Sequence, residues 1–140
     1  MKPIPPKPQN PDNKSKFRFL PIVLSFIFII WIIIHANLGL KNPFIQFVHQ
    51  IPGGDKIGHV CVFAGLTFLL NHALSYTSFK LFKLDLWTGS ILILCFALAE
   101  EFTQLFFATR TFDLLDILSD LVGISLASAL AYLRFFSSSK

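Results

Sequence analysis

The sequence predicts an all-α integral membrane protein: a bundle of four transmembrane helices with a short interfacial helix in the first outer loop. Three observations carry this expectation. Of 140 residues, 54% are hydrophobic and only 14% are charged, where a soluble domain carries about a quarter. The mean hydropathy is +0.63. Lys and Arg flank the apolar runs instead of covering one soluble face, which is how membrane proteins place them. The net charge of +4 therefore does not point to nucleic acid. The length suits one domain, and no internal repeat is visible.

Residues 1–16 hold five of the eight prolines and read as a disordered cytoplasmic tail; residues 17–136 form the membrane domain. Residues 19–40 lack Lys, Arg, Asp and Glu for 22 positions, enough to span a bilayer as a helix. This run is too long for a typical signal-peptide core, and it lacks a small-residue cleavage pattern. Residues 41–56 contain two prolines and two glycines, so they turn. Between the turns Phe44, Ile45, Phe47, Val48 and Ile51 suggest a helix lying in the membrane interface. A second uncharged run covers residues 57–79, and a basic link with Lys80 and Lys83 follows. The third run, 86–109, is interrupted only by Glu100 and Glu101. A tight turn at 108–111 carries Arg110, and the fourth run continues to Leu133. Alternate connections divide Lys and Arg nine to three, which predicts that both termini are cytoplasmic.

The candidate chemistry lies on the opposite, outer side. Five of the eight carboxylates fall in residues 100–120, inside an apolar region. Asp113, Asp116, Asp120, Gly123, Ala127 and Ala131 are three or four apart, so they share one helical face. That face is acidic at its outer end and small further in, which lets another helix approach closely. Gln104 shares a face with Glu101 or Glu100. A carboxylate at mid-membrane costs about 2.5–3.5 kcal/mol on insertion scales, so pairing with Arg110, Lys56 or His59 is expected. Arg110 suits a phosphate or phosphodiester, because its planar fork bonds two oxygens at once. His59 is a candidate acid–base group or nucleophile. Glu101 or Asp116 could orient it or act as an acid. Asp113 reads as a helix cap and not a catalyst. The acids could alternatively hold a divalent cation, or fix helix register as an ion-pair network. His35, His49 and His72 read as interfacial residues. Cys61 and Cys95 lack ligand spacing, so neither a zinc site nor a disulfide is expected.

The ordered pattern "DKIGH" (55–59), "EFTQ" (101–104), Arg110 six residues after Gln104, Asp116 six after Arg110 and Gly123 seven after Asp116 resembles the VanZ-like family of small membrane proteins. The resemblance runs from the first span to about Leu130. It implies a multi-span protein of the cell envelope; the founding member is associated with resistance to a glycopeptide antibiotic. The family has been grouped with membrane proteins proposed to act on lipid head groups. One departure is Asp120, where the family pattern has Asn. On this reading His59, Glu101 and Asp116 are the expected catalytic residues. Arg110, Gln104, Asp55 and Asp120 are the expected binding residues. The expected partners are membrane lipids or a lipid-linked phosphate substrate. A non-enzymatic protein that binds a head group or a partner through the same polar cup is the alternative. A proton-coupled transporter is a third reading, disfavoured because the acids cluster in the outer half.

Overall fold

Helix α1 (Pro11–Asn37) is followed by the short α2 (Pro43–His49) and by α3 (Gly54–Ala73). A hairpin of β1 (Ser78–Leu81) and β2 (Leu84–Trp87) leads into α4 (Thr88–Gln104), and α5 (Leu114–Ser137) completes the order. The computed structural model describes residues 11–81 and 84–137. Residues 1–10, Lys83 and Lys140 lie outside the described residues. α1 begins at Pro11, so its first turns take in the last part of the segment expected as a tail.

Among the described residues two helices are long and apolar enough to cross a membrane: α1 over Phe17–Asn37, and α5 over Leu114–Leu133. Their 21 and 20 residues rise about 30 Å at ~1.5 Å per residue, matching a hydrocarbon core of about 30 Å. Their outer faces are apolar. Ile27 is 60% exposed and Leu130 65%, a surface that suits lipid better than water. α4 has 17 residues, and α3 carries Asp55, Lys56, His59 and Asn71 among its 20.

The polar groups go inside. Ile22, Phe63, Leu66, Ile93, Ala97 and Ile124 form the apolar core. Phe26 of α1 meets Phe96 of α4 edge to face at 5.1 Å. Around this core Thr67, Asn71, Glu101, Gln104 and Asp120 are all at most 1% exposed.

The expected small face on α5 is the contact with α3. Gly123, Ala127 and Ala131 are buried. A Cβ on Gly123 would lie 2.4 Å from the Val60 carbonyl oxygen and 3.0 Å from the Ala64 nitrogen. Only glycine lets the two backbones approach so closely. This crossing also sets the height of the neighbouring residues His59 and Asp120.

Three expectations need correction. The run over 57–79 is not one helix: α3 stops at Ala73. Ser75 and Tyr76 take left-handed backbone, with φ of 54° and 55°, and the Tyr76 N–H closes back on the Asn71 carbonyl at 2.7 Å. The basic link is a β-hairpin, so the chain is not purely helical. In it Phe79 pairs with Leu86 and Lys80 with Asp85, an apolar pair and an opposite-charge pair of the kind that stabilises antiparallel strands. The third run is also shorter than expected. α4 ends at Gln104, and residues 105–113 form a longer connection than the turn expected at 108–111.

Candidate functional site

The site begins where α2 meets α3. Asn42 caps α2, its side-chain oxygen accepting from the Phe44 N–H at 2.9 Å. Gly53 turns the chain with φ of 67°. A Cβ on Gly54 would fall 2.1 Å from the Val48 carbonyl oxygen, so α3 starts directly against the end of α2. That junction brings Asp55 and Lys56 to the mouth of the bundle.

α5 starts beside it. Asp113 is the cap: its side-chain oxygen accepts from the Leu115 N–H at 2.9 Å, as expected of a residue in that position. Lys56 reaches across from α3. Its ammonium donates to Asp113 and Asp116, each at 2.5 Å, and lies 3.2 Å from Asp55. Burial pulls the Lys56 pKa down, but the hydrogen bonds to Asp113, Asp116 and Asp55 outweigh it and hold the ammonium well above its usual range. The Lys56 hydrogen bond in turn holds Asp55 and Asp113 below the usual carboxylate range.

One turn deeper, His59 Nδ1 lies 2.8 Å from Asp120 Oδ1. With the carboxylate accepting, Nδ1 carries the proton and Nε2 is the unprotonated nitrogen of the neutral ring. His59 Nε2 is 3.8 Å from Asp116 Oδ2, too far for a hydrogen bond. Asp120 is fully buried, and its Oδ2 has no hydrogen-bond partner among the described residues.

α4 contributes the third wall through Gln104. Its side-chain amide donates to Glu101 Oε2 at 2.8 Å and faces Glu100 Oε1 at 3.2 Å. Glu101 Oε1 accepts the Asp113 N–H at 2.8 Å. Glu101 thus ties the end of α4 to the start of α5. Arg110 stands on the connection between them, 3.9 Å from Glu100. Thr109 beside it donates to the Asn37 carbonyl at 2.5 Å, which fastens the connection to the end of α1.

These residues surround one cavity of about 380 Å³. Asp55, Lys56, His59, Glu100, Gln104, Arg110 and Asp116 line its polar side. Ile29 and Ile33 of α1 and Phe44, Ile45 and Val48 of α2 line the apolar side. Of the seven residues expected from sequence, His59, Asp116, Arg110, Gln104 and Asp55 reach the cavity. Glu101 and Asp120 stand behind it, bonded to residues that do.

Several lining residues were not expected there, among them Glu100, Lys56 and His49. Glu100 faces Arg110, although the sequence favoured Glu101; the signal was its i, i+4 spacing to Gln104. Lys56 was read only as a counter-charge. His49, expected to be merely interfacial, is also in the wall. A second polar cluster had no signal in the sequence: Asn71 donates to Ser90, which is 2.8 Å from Ser128. Among the described residues no group of three or more His, Cys, Asp or Glu side chains could hold a metal ion.

Comparison with known proteins bears on this arrangement. The sequence pattern of the family described as VanZ/LLP1 matches residues 5–136, which takes in most of the proline-rich tail. "Uncharacterized protein C11E3.10" of Schizosaccharomyces pombe (strain 972 / ATCC 24843) is 37% identical over 103 residues, or 72% of this chain and 57% of the relative. The chain thus spans a little over half the length of that curated relative. No solved structure matches this chain. With nearly its whole length matched, the chain belongs to the VanZ/LLP1 family.

Proposed function

We propose that the protein crosses the membrane four times with both termini cytoplasmic, and that its cavity takes the phosphate head group of a lipid or lipid-linked substrate at the outer leaflet. The single observation that carries this reading is the His59–Asp120 hydrogen bond on the wall of a cavity that also holds Arg110. A buried carboxylate that fixes one ring nitrogen selects the tautomer and aims the other nitrogen at a reactant. Arg110 grips phosphate oxygens with its fork. His59 Nε2 takes the proton of an attacking hydroxyl, whose oxygen bonds to phosphorus as the P–O bond to the leaving alkoxide breaks, and the imidazolium returns that proton to the alkoxide. Asp116 stabilises the imidazolium that proton transfer creates. Gln104 holds Glu100 in place, and Glu101 and Asp120 position the others. The apolar wall from α1 and α2 accommodates the acyl part of an amphiphile.

The test is head-group release or exchange by the purified protein in vesicles of defined lipid. Wild type is expected to turn over. His59→Gln, which cannot act as an acid–base group, is expected to lose roughly 10²-fold or more. Arg110→Lys keeps charge but loses the fork, and its apparent affinity is expected to fall. If both variants stay folded and keep full turnover, the catalytic reading is wrong. If wild type binds lipid and never turns it over, the cavity is a head-group receptor and not an active site.

A further inference from the structure

We propose that the cavity selects a zwitterionic amphiphile, one whose head group carries a phosphate and an amine together. This rests on the reading of the cavity as a head-group site and specifies the chemical class of the ligand.

Charge balance inside the cavity carries it. Asp55, Glu100, Asp113 and Asp116 line the wall against the fixed cations Lys56 and Arg110. The two cations are not equivalent. An ammonium has three donors, and those of Lys56 face Asp55, Asp113 and Asp116. Little is left for a ligand. Arg110 approaches Glu100 only to 3.9 Å, beyond hydrogen-bond distance, so its fork remains open to a phosphate.

Glu100 is 8% exposed. Its oxygens accept from the Gln104 amide at 3.2 and 3.4 Å, and Arg110 is the guanidinium that balances it. A phosphate drawn onto Arg110 therefore takes over that cation and sets an anion beside a shielded carboxylate. At low dielectric such a pair repels strongly. An amine tethered to the same phosphate removes the repulsion, because its ammonium can sit against Glu100 while the phosphate sits on Arg110. The ligand then adds no net charge to a wall already rich in acids. The opposite wall, with Ile33 and Val48, adds the requirement for an apolar tail. A cavity of about 380 Å³ is at the small end of ligand sites, which suits a head group and the first carbons of its chains.

The experiment uses the full chain, purified in lipid-free detergent, with three probes: dihexanoyl phosphatidylethanolamine, dihexanoyl phosphatidylglycerol and free phosphoethanolamine. Calorimetry reads their dissociation constants. The ethanolamine lipid is expected to bind at least ~10-fold more tightly than the glycerol lipid, and free phosphoethanolamine more weakly than the lipid. Glu100→Gln is expected to close the gap by improving the glycerol lipid, and that retained binding reports a folded protein. If Glu100→Gln fails to fold, the wild-type comparison decides alone. Equal or tighter binding of the glycerol lipid overturns the zwitterion inference and leaves the head-group reading standing. Free phosphoethanolamine binding as tightly as its lipid overturns the amphiphile requirement. If no probe binds, the head-group reading itself falls.

Discussion

At the residue scale, the chemistry of the cavity depends on which polar groups are paired and with what. Asp120 is the clearest case. It is fully buried, one oxygen meets His59 and the other has no partner among the described residues. Asp120→Asn keeps an acceptor for His59 and is expected to fold with little loss of thermal stability, whereas Asp120→Leu leaves His59 unpaired and should cost roughly 1–3 kcal/mol. Thermal unfolding in detergent compares the two; a Leu variant as stable as wild type would remove the pair from the account. Lys56 and Asp113 give a pH prediction. Asp113, held low by Lys56, contributes stability above its ordinary value of 3.8, lost as pH falls through its depressed folded pKa. Lys56 is raised, so its contribution is complete below its ordinary value of 10.5 and fades only as pH rises through the folded pKa. The coupling measured by a Lys56→Met/Asp113→Asn double-mutant cycle should therefore stay constant between pH 5 and 9, a window chosen inside those two values. A coupling that collapses near neutrality would contradict the bridge. Much of this residue chemistry was legible. The 3-4 spacing on α5 put Asp113, Asp116 and Asp120 on one face, and Asp113 has the cap position that its side chain implies. Glu100 was not legible, because adjacent acids on a helix point ~100° apart and only the packing of α4 decides which one meets the cavity.

At the element scale, the α3–α5 crossing does the positioning. Gly123 sits 2.4 Å, at Cβ distance, from the Val60 backbone, one residue along α3 from His59. Gly123→Ala must push the helices apart, at a cost of about 1–3 kcal/mol, and is expected to weaken head-group binding through the His59–Asp120 pair. Gly65, with nothing within 4 Å of its would-be Cβ, is the control. Gly65→Ala should be neutral or stabilise by up to ~1 kcal/mol, since alanine is the better helix former. Melting temperatures of the two variants check the contrast; equal effects would mean that close approach is not what Gly123 supplies. The small stripe from Gly123 to Ala131 was readable as a packing face by its period alone. The hairpin was not readable. Residues 74–79 carry no charge and extend the second run on paper, and the break depends on the left-handed backbone at Ser75 and Tyr76. No glycine announces that conformation, so the sequence carries little trace of it.

At the scale of the whole molecule, a mostly helical chain with apolar outer faces gathers Asp55, Lys56, His59, Glu100, Arg110, Asp113 and Asp116 around one cavity. The proposed four-span topology is tested by reporters fused to each terminus and inserted after Gln50 and at Lys80. Cytoplasmic signals are expected from both termini and from the Lys80 site, and an outer signal after Gln50. An outer signal from either terminus would move the cavity to the wrong leaflet. The claim that a phospholipid head group occupies the cavity is tested most directly by protecting one wall residue from modification. Thr111 lines the cavity and is exposed. Cys61 and Cys95 are exposed free thiols and are first replaced by alanine. Thr111→Cys in that background is then labelled with a maleimide in lipid-free detergent, with and without saturating dihexanoyl phosphatidylethanolamine. The account predicts rapid labelling that the lipid slows by roughly 10-fold or more, as mass action requires when the free site becomes a minor species. A labelling rate that saturating lipid leaves unchanged would contradict it.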